Sequence, residues 1–253
     1  MVLLLRLLPL LAATGTVVAF WYQRVLPAFY PWLATAAIVA VLLSASAIAF
    51  RRLSPVDVVE KMFPSVLCLA AAAFAMLLVE TPEARLGLTV LAGATAFLPL
   101  ELLFLLAYEP SAYPVNGLSR VNLAALPIAT WLLASTSLGL IIFLHTPRVV
   151  HVVLLAICGL LFFRTTGHPG AAPAQNRVWM AVGALLGLQI GWFGLLAPLG
   201  IEMQGFVAAF VLACAARLRR YAYSPKPHPR VALIEGIGAV AMFVVALVTA
   251  KWA

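Results

Sequence analysis

Long apolar runs separated by short polar breaks set the pattern of this chain. Nine such runs occupy residues 3–22, 31–50, 63–80, 86–108, 123–145, 149–163, 178–198, 205–221 and 231–252. Most approach 20 residues, the length that carries an α-helix across a hydrocarbon layer of about 30 Å. They are continuous, and lack the short alternating pattern of a membrane β-barrel. The runs 149–163 and 205–221 are the shortest, near the lower limit for a full crossing. The breaks carry turn and cap residues. Ser54-Pro55 with Asp57 reads as an N-cap, a first-turn proline and an acid at the positive helix end, opening a short interfacial helix up to Met62. Pro99 within the fourth run predicts a kink. Residues 199–204 read as a hairpin between the seventh and eighth runs.

The run 178–198 organises the rest. Gly183, Gly187 and Gly191 recur every fourth residue, and Gly194 continues that side. On a helix this makes a groove without side chains, where a second backbone can approach closely. Gln189 lies about 240° round the helix from Gly183 and points away from the groove. An amide facing lipid leaves unmet hydrogen bonds. One face therefore calls for a close helix and the other for a polar partner, which predicts a central helix touched on two sides.

Composition makes the class firm. Of 253 residues, 65% are hydrophobic and 9% charged, against about 25% charged in ordinary soluble domains. So few charges cannot cover a water-soluble surface of this size. The expected fold is all-α: one polytopic transmembrane helical bundle over residues 1–253, with about nine spans and no soluble domain. Arg6 gives the first run the look of a signal peptide, but no cleavage site follows and the run reads as a retained helix. No internal repeat is evident.

The net charge of +8 sits at the ends of the apolar runs. That favours membrane orientation and anionic headgroups as its explanation, and excludes nucleic acid as a partner. With the N-terminus in the cytoplasm and the C-terminus outside, twelve basic residues fall at inner ends and four at outer ends, as the positive-inside rule asks. A bacterial cytoplasmic membrane is the expected location. Arg217, Arg219, Arg220, Lys226 and Arg230, interleaved with Tyr221 and Tyr223, form the strongest basic run. It reads as an interfacial anchor or a docking site for anionic lipid or an acidic partner.

Ionisable groups inside apolar runs are the usual place to seek chemistry. Glu101 in the fourth run and Glu235 in the ninth sit at similar depth near the cytoplasmic side. Together they suggest a proton- or cation-binding pair. The structural alternatives are an ion pair of Glu101 with an arginine, and a surface pair of Glu235 with Arg230. Gln189 is the third ligand or ion candidate. Thr130, Ala134 and Ser137 share a side of the fifth run and read as helix packing. His145 and His151, near the turn at Thr146 to Arg148, read as interfacial; with Glu80 and Glu202 their spacing matches no metal motif. Cys68, Cys158 and Cys214 lie in separate runs and read as buried thiols. No cofactor, metal site or catalytic residue is expected, since no nucleotide, nucleophile or zinc signature occurs.

Three function classes follow. The first is a non-catalytic subunit, scaffold or assembly factor of a membrane complex, partnered by other subunits or by itself. The second is a transporter or channel using Glu101 and Glu235. The third is an intramembrane enzyme acting on lipid.

Overall fold

The computed structural model describes residues 2–166, 173–197, 199–223 and 229–249. Its helices are α1 (Val2–Val25), α2 (Tyr30–Ala49), α3 (Pro55–Met76), α4 (Pro82–Tyr108), α5 (Gly117–Leu144), α6 (Arg148–Thr165), α7 (Pro173–Leu196), α8 (Ile201–Tyr223) and α9 (Pro229–Thr249). A single 3-10 turn, Pro27–Phe29, joins α1 to α2. No strand occurs among the described residues. Eight of the helices, α1 to α8, are long and apolar enough to cross a bilayer. The protein is an all-helical integral membrane bundle.

Several boundaries differ from the sequence pattern, each for a local reason. The interfacial helix expected at 55–62 and the span expected at 63–80 are one helix, α3. Ser54 caps it by accepting from the Asp57 amide at 3.1 Å, and Pro55 stands in its first turn. Pro64 falls inside α3 and does not end it. Three residues before it, the Lys61 carbonyl accepts from Asn122 Nδ2 on α5 at 2.8 Å, a contact that ties α5 to α3. The predicted hairpin 199–204 is shorter, because α8 already starts at Ile201. His145 ends α5 in the left-handed region, with φ 51°.

Contacts divide the described chain into two compact units, Met1–Ala129 and Thr130–Ala253, the division falling within α5. In the first unit α1 lies along α4 and α2, and α3 packs on α2 and α4. Its core is fine-grained: Ala92 and Ala96 of α4, Ala71 and Ala72 of α3, and Ala45 of α2 are buried with Leu100, Leu103 and Phe104. Val17 of α1 fits so tightly over Gly93 that a Cβ there would lie 2.6 Å from it. Tyr30 at the start of α2 donates to the Ala73 carbonyl near the end of α3 at 2.5 Å.

The second unit is built on the antiparallel pair α6 and α7. Gly159 of α6 meets Gly183 of α7 backbone to backbone, and the Gly187 position abuts the Leu155 carbonyl. A Cβ at Gly191 would lie 3.0 Å from Val152 Cα. Lipid tails are as apolar as leucine, so a helix pair gains little from apolar burial and depends on close van der Waals contact. Glycine supplies that contact here. α8 joins by a similar device: Gly205 lies against Trp131 and Ser135 of α5, and Trp131 Nε1 donates to the Glu202 carbonyl at 3.1 Å. Ala134, Leu155 and Ala208 form the core where α5, α6 and α8 meet. Phe210 of α8 stacks on Phe243 of α9, ring centres 6.2 Å apart.

The expectation of a central α7 is corrected. It is the least buried of the eight candidate spans, because its glycines commit one face to α6 and leave the other outward.

Gly187→Ala is expected to cost about 1–3 kcal/mol, since its methyl group has nowhere to go but into the Leu155 peptide. Gly15→Ala, with nothing within 4 Å of the added atom, is expected to gain up to about 1 kcal/mol from helix propensity. Thermal unfolding in mild detergent, followed by helical circular dichroism, compares the two. Equal midpoints would refute the close α6–α7 contact.

Candidate functional site

Among the described residues, three further arrangements of polar side chains bear on function. The first, in the Met1–Ala129 unit, joins Arg6 of α1 to Glu101 of α4, 3.0 Å apart. Arg6 also lies over the Phe104 ring, 4.9 Å from its centre. Residues 101 and 104 are one turn apart on α4, so one guanidinium covers both. α1 and α4 run antiparallel, which brings the start of one beside the end of the other. The pair is partly solvent-exposed, with 45% of the Arg6 side chain accessible. A pair this open contributes little to stability. Its effect is to occupy the carboxylate that the sequence marks as the leading ion-binding candidate.

The second arrangement lies at one end of the Thr130–Ala253 unit. Ser137 and His151 stand equally far either side of Leu144, so a tight α5–α6 hairpin turns them toward each other. Ser137 Oγ and His151 Nδ1 are 2.6 Å apart. His151 is 1% exposed, whereas the sequence alone suggests an interfacial histidine. The α7 residue facing it is Gly194: a Cβ there would lie 3.4 Å from His151 Nε2 and 3.7 Å from Gln204 Oε1 of α8. Gln204 folds back over the α7–α8 connection and donates from Nε2 to the Ala197 and Leu199 carbonyls, both at 2.8 Å. The Ala197 carbonyl also accepts from the Leu199 amide at 2.8 Å, so the side chain reinforces the turn.

The third arrangement corrects a sequence expectation. Arg219 of α8 belongs to the basic run read as a headgroup anchor, yet it is 2% exposed. Its guanidinium donates to the Phe163 carbonyl near the end of α6 and to Asn176 Oδ1 at the start of α7. It also lies over the Trp179 ring, 5.7 Å from the centre, and that ring stacks on Phe163. The last carbonyls of a helix have no partner within it and carry negative partial charge. Arg219 caps α6 and fastens three helices. A planar fork with several donors suits that task; a lysine ammonium does not.

The remaining candidates lie apart. Gln189 is exposed on α7, away from the glycine face. Arg217 and Arg230 are exposed. Lys226 lies outside the described residues, as do the side chains of Arg220 and Glu235. His145, Glu80 and Glu202 are exposed, and no group of three metal-ligating side chains occurs among the described residues. Cys68, Cys158 and Cys214 are free thiols.

Comparison with known proteins gives no family model, no curated protein and no solved structure that matches the chain. Its own geometry therefore carries the functional reading.

Arg219→Ala is expected to lose roughly 3 kcal/mol, because a buried carbonyl and a partly buried amide oxygen lose charged donors. Arg219→Lys recovers only part of it. Unfolding midpoints of the purified variants measure both; full recovery by lysine would refute the bidentate role.

Proposed function

We propose that this protein is a non-catalytic membrane subunit that assembles with a second copy of itself through the outer face of α7. One observation carries the reading. Val178, Val182, Leu185, Gln189, Trp192 and Leu196 recur at alternating spacings of four and three along α7, and all are exposed. That is the spacing of a helix seam in a left-handed pair, with one polar position in it. The glycine face behind the seam is already committed to α6, so the seam is what α7 has to offer.

The amide selects the partner. Copies in one bilayer share an orientation, so two-fold related α7 helices run parallel with their Gln189 residues at one depth. Each amide then donates to and accepts from its twin, meeting the need that lipid cannot meet. A single polar residue within such a seam fixes register more than it adds strength.

The topology we assign has nine spans, the N-terminus in the cytoplasm and the C-terminus outside, in a bacterial cytoplasmic membrane. The supporting observation is the bias of basic residues in the sequence toward the inner ends. The exposed Arg217 and Arg230 suit contact with anionic headgroups. Transport through Glu101 and Glu235 has less support, since Arg6 holds the Glu101 carboxylate.

In native membranes, Gln189→Cys on a background without the three native cysteines is expected to oxidise to a disulfide-linked dimer of twice the chain mass. Cysteine at Ala181, also exposed but off the seam, should give little. Gln189→Leu is expected to weaken association of the purified protein about threefold or more, given about 0.6 kcal/mol for a typical interhelical hydrogen bond in a membrane. Equal cross-linking at 181 and 189, or no dimer at either, would overturn the assembly reading.

A further inference from the structure

We infer that Gly194, His151 and Gln204 form a binding site for one small donor of two hydrogens: a water molecule or an ammonium group. Ser137 Oγ lies 3.0 Å from the Ala134 carbonyl, to which it donates its single hydrogen. We assign the 2.6 Å contact with His151 Nδ1 as a donation from the ring to the serine, the arrangement in which both serine contacts are hydrogen bonds. In that arrangement the imidazole carries its hydrogen on Nδ1 and a lone pair on Nε2. Gln204 has spent both amide hydrogens on the Ala197 and Leu199 carbonyls, which leaves Oε1 as an acceptor.

Both atoms are buried, and neither has a hydrogen-bond partner among the described residues. Both face Gly194, at the 3.4 Å and 3.7 Å given above for an added Cβ. Two buried acceptors in one niche cannot serve each other. Left unmet, each carries a desolvation penalty. A molecule presenting two hydrogens answers both at once; water and an ammonium group share that chemistry. Glycine at position 194 keeps the niche open, since alanine would put a methyl group where the donor sits.

Access is short. His151 is the fourth residue of α6, Gln204 the fourth of α8 and Gly194 the third from the end of α7. The site therefore lies about one helical turn, roughly 5 Å, inside the helix ends. A polar ligand reaches it without crossing the apolar interior. The site is independent of the α7 seam, because Gly194 looks toward α6 and α8.

The test exploits the ordinary spacing around Gly194. An added methyl group meets no backbone clash and gains helix propensity, so sterics alone make Gly194→Ala neutral or stabilising. Displacement of a bound donor would instead lower the unfolding midpoint by roughly 5 °C. An unchanged or raised midpoint would overturn the proposal. Nitrogen-15 spectra of histidine-labelled protein, assigned with His151→Phe, provide a second reading. A hydrogen on Nδ1 is expected, and one on Nε2 would overturn the acceptor pair. Replacing potassium chloride by ammonium chloride at constant ionic strength separates the two donors. A saturable rise in the midpoint, absent in Gly194→Ala, assigns ammonium. No rise, with the Gly194→Ala penalty retained, assigns water.

Discussion

Backbone-to-backbone contact between α6 and α7 is the constraint on which the Thr130–Ala253 unit rests. Within a bilayer, apolar surface is indifferent to whether it meets lipid or protein. A helix pair is held by how closely its atoms approach and by the polar groups it brings together. Gly159 against Gly183, and Gly187 against the Leu155 peptide, remove the side chains that would keep the axes apart. Once those glycines fix α7 on α6, the register along the pair decides everything near it. Gly194 comes opposite His151, and Asn176 comes within reach of an arginine from α8.

The polar groups of the unit then divide by position. At one end, Arg219 supplies donors to the Phe163 carbonyl and to the Asn176 amide oxygen. At the other, His151 pairs with Ser137, and Gln204 spends its amide hydrogens on the α7–α8 connection. The two ends differ in sign of need: one brings surplus donors to orphan acceptors, and the other retains acceptors. In the Met1–Ala129 unit the same accounting links Arg6 with Glu101 and Asn122 with the Lys61 carbonyl. Intramembrane polar residues are costly to leave alone, and in each of these cases a neighbouring helix answers the need.

α7 carries two messages on one helix. Its glycine face is spent within the chain. Its outward face combines apolar bulk with one amide at seam spacing, the feature on which the proposed assembly depends. Separation of the two faces by about half a turn lets one helix hold its own bundle and present a surface at the same time.

The apolar run lengths, the scarcity of charge and the every-fourth glycines determined by themselves that this is an all-helical membrane protein, and that α7 needs a close neighbour on one face. Those features are local, because helix periodicity places residues on faces without knowledge of any partner. Which helix fills the glycine groove was not legible, and neither was the burial of His151 and Arg219. A histidine beside a turn and an arginine in a basic run look interfacial until the hairpin and the α6–α8 packing bring acceptors to them. The sequence pattern separates 55–62 from the span that follows, yet α3 runs through Pro64, and a carbonyl near it finds Asn122 from a helix some 60 residues on. Sequence pattern fixes the faces and the cost of each polar group. Only the tertiary arrangement supplies the particular partner, since that partner comes from a distant part of the chain.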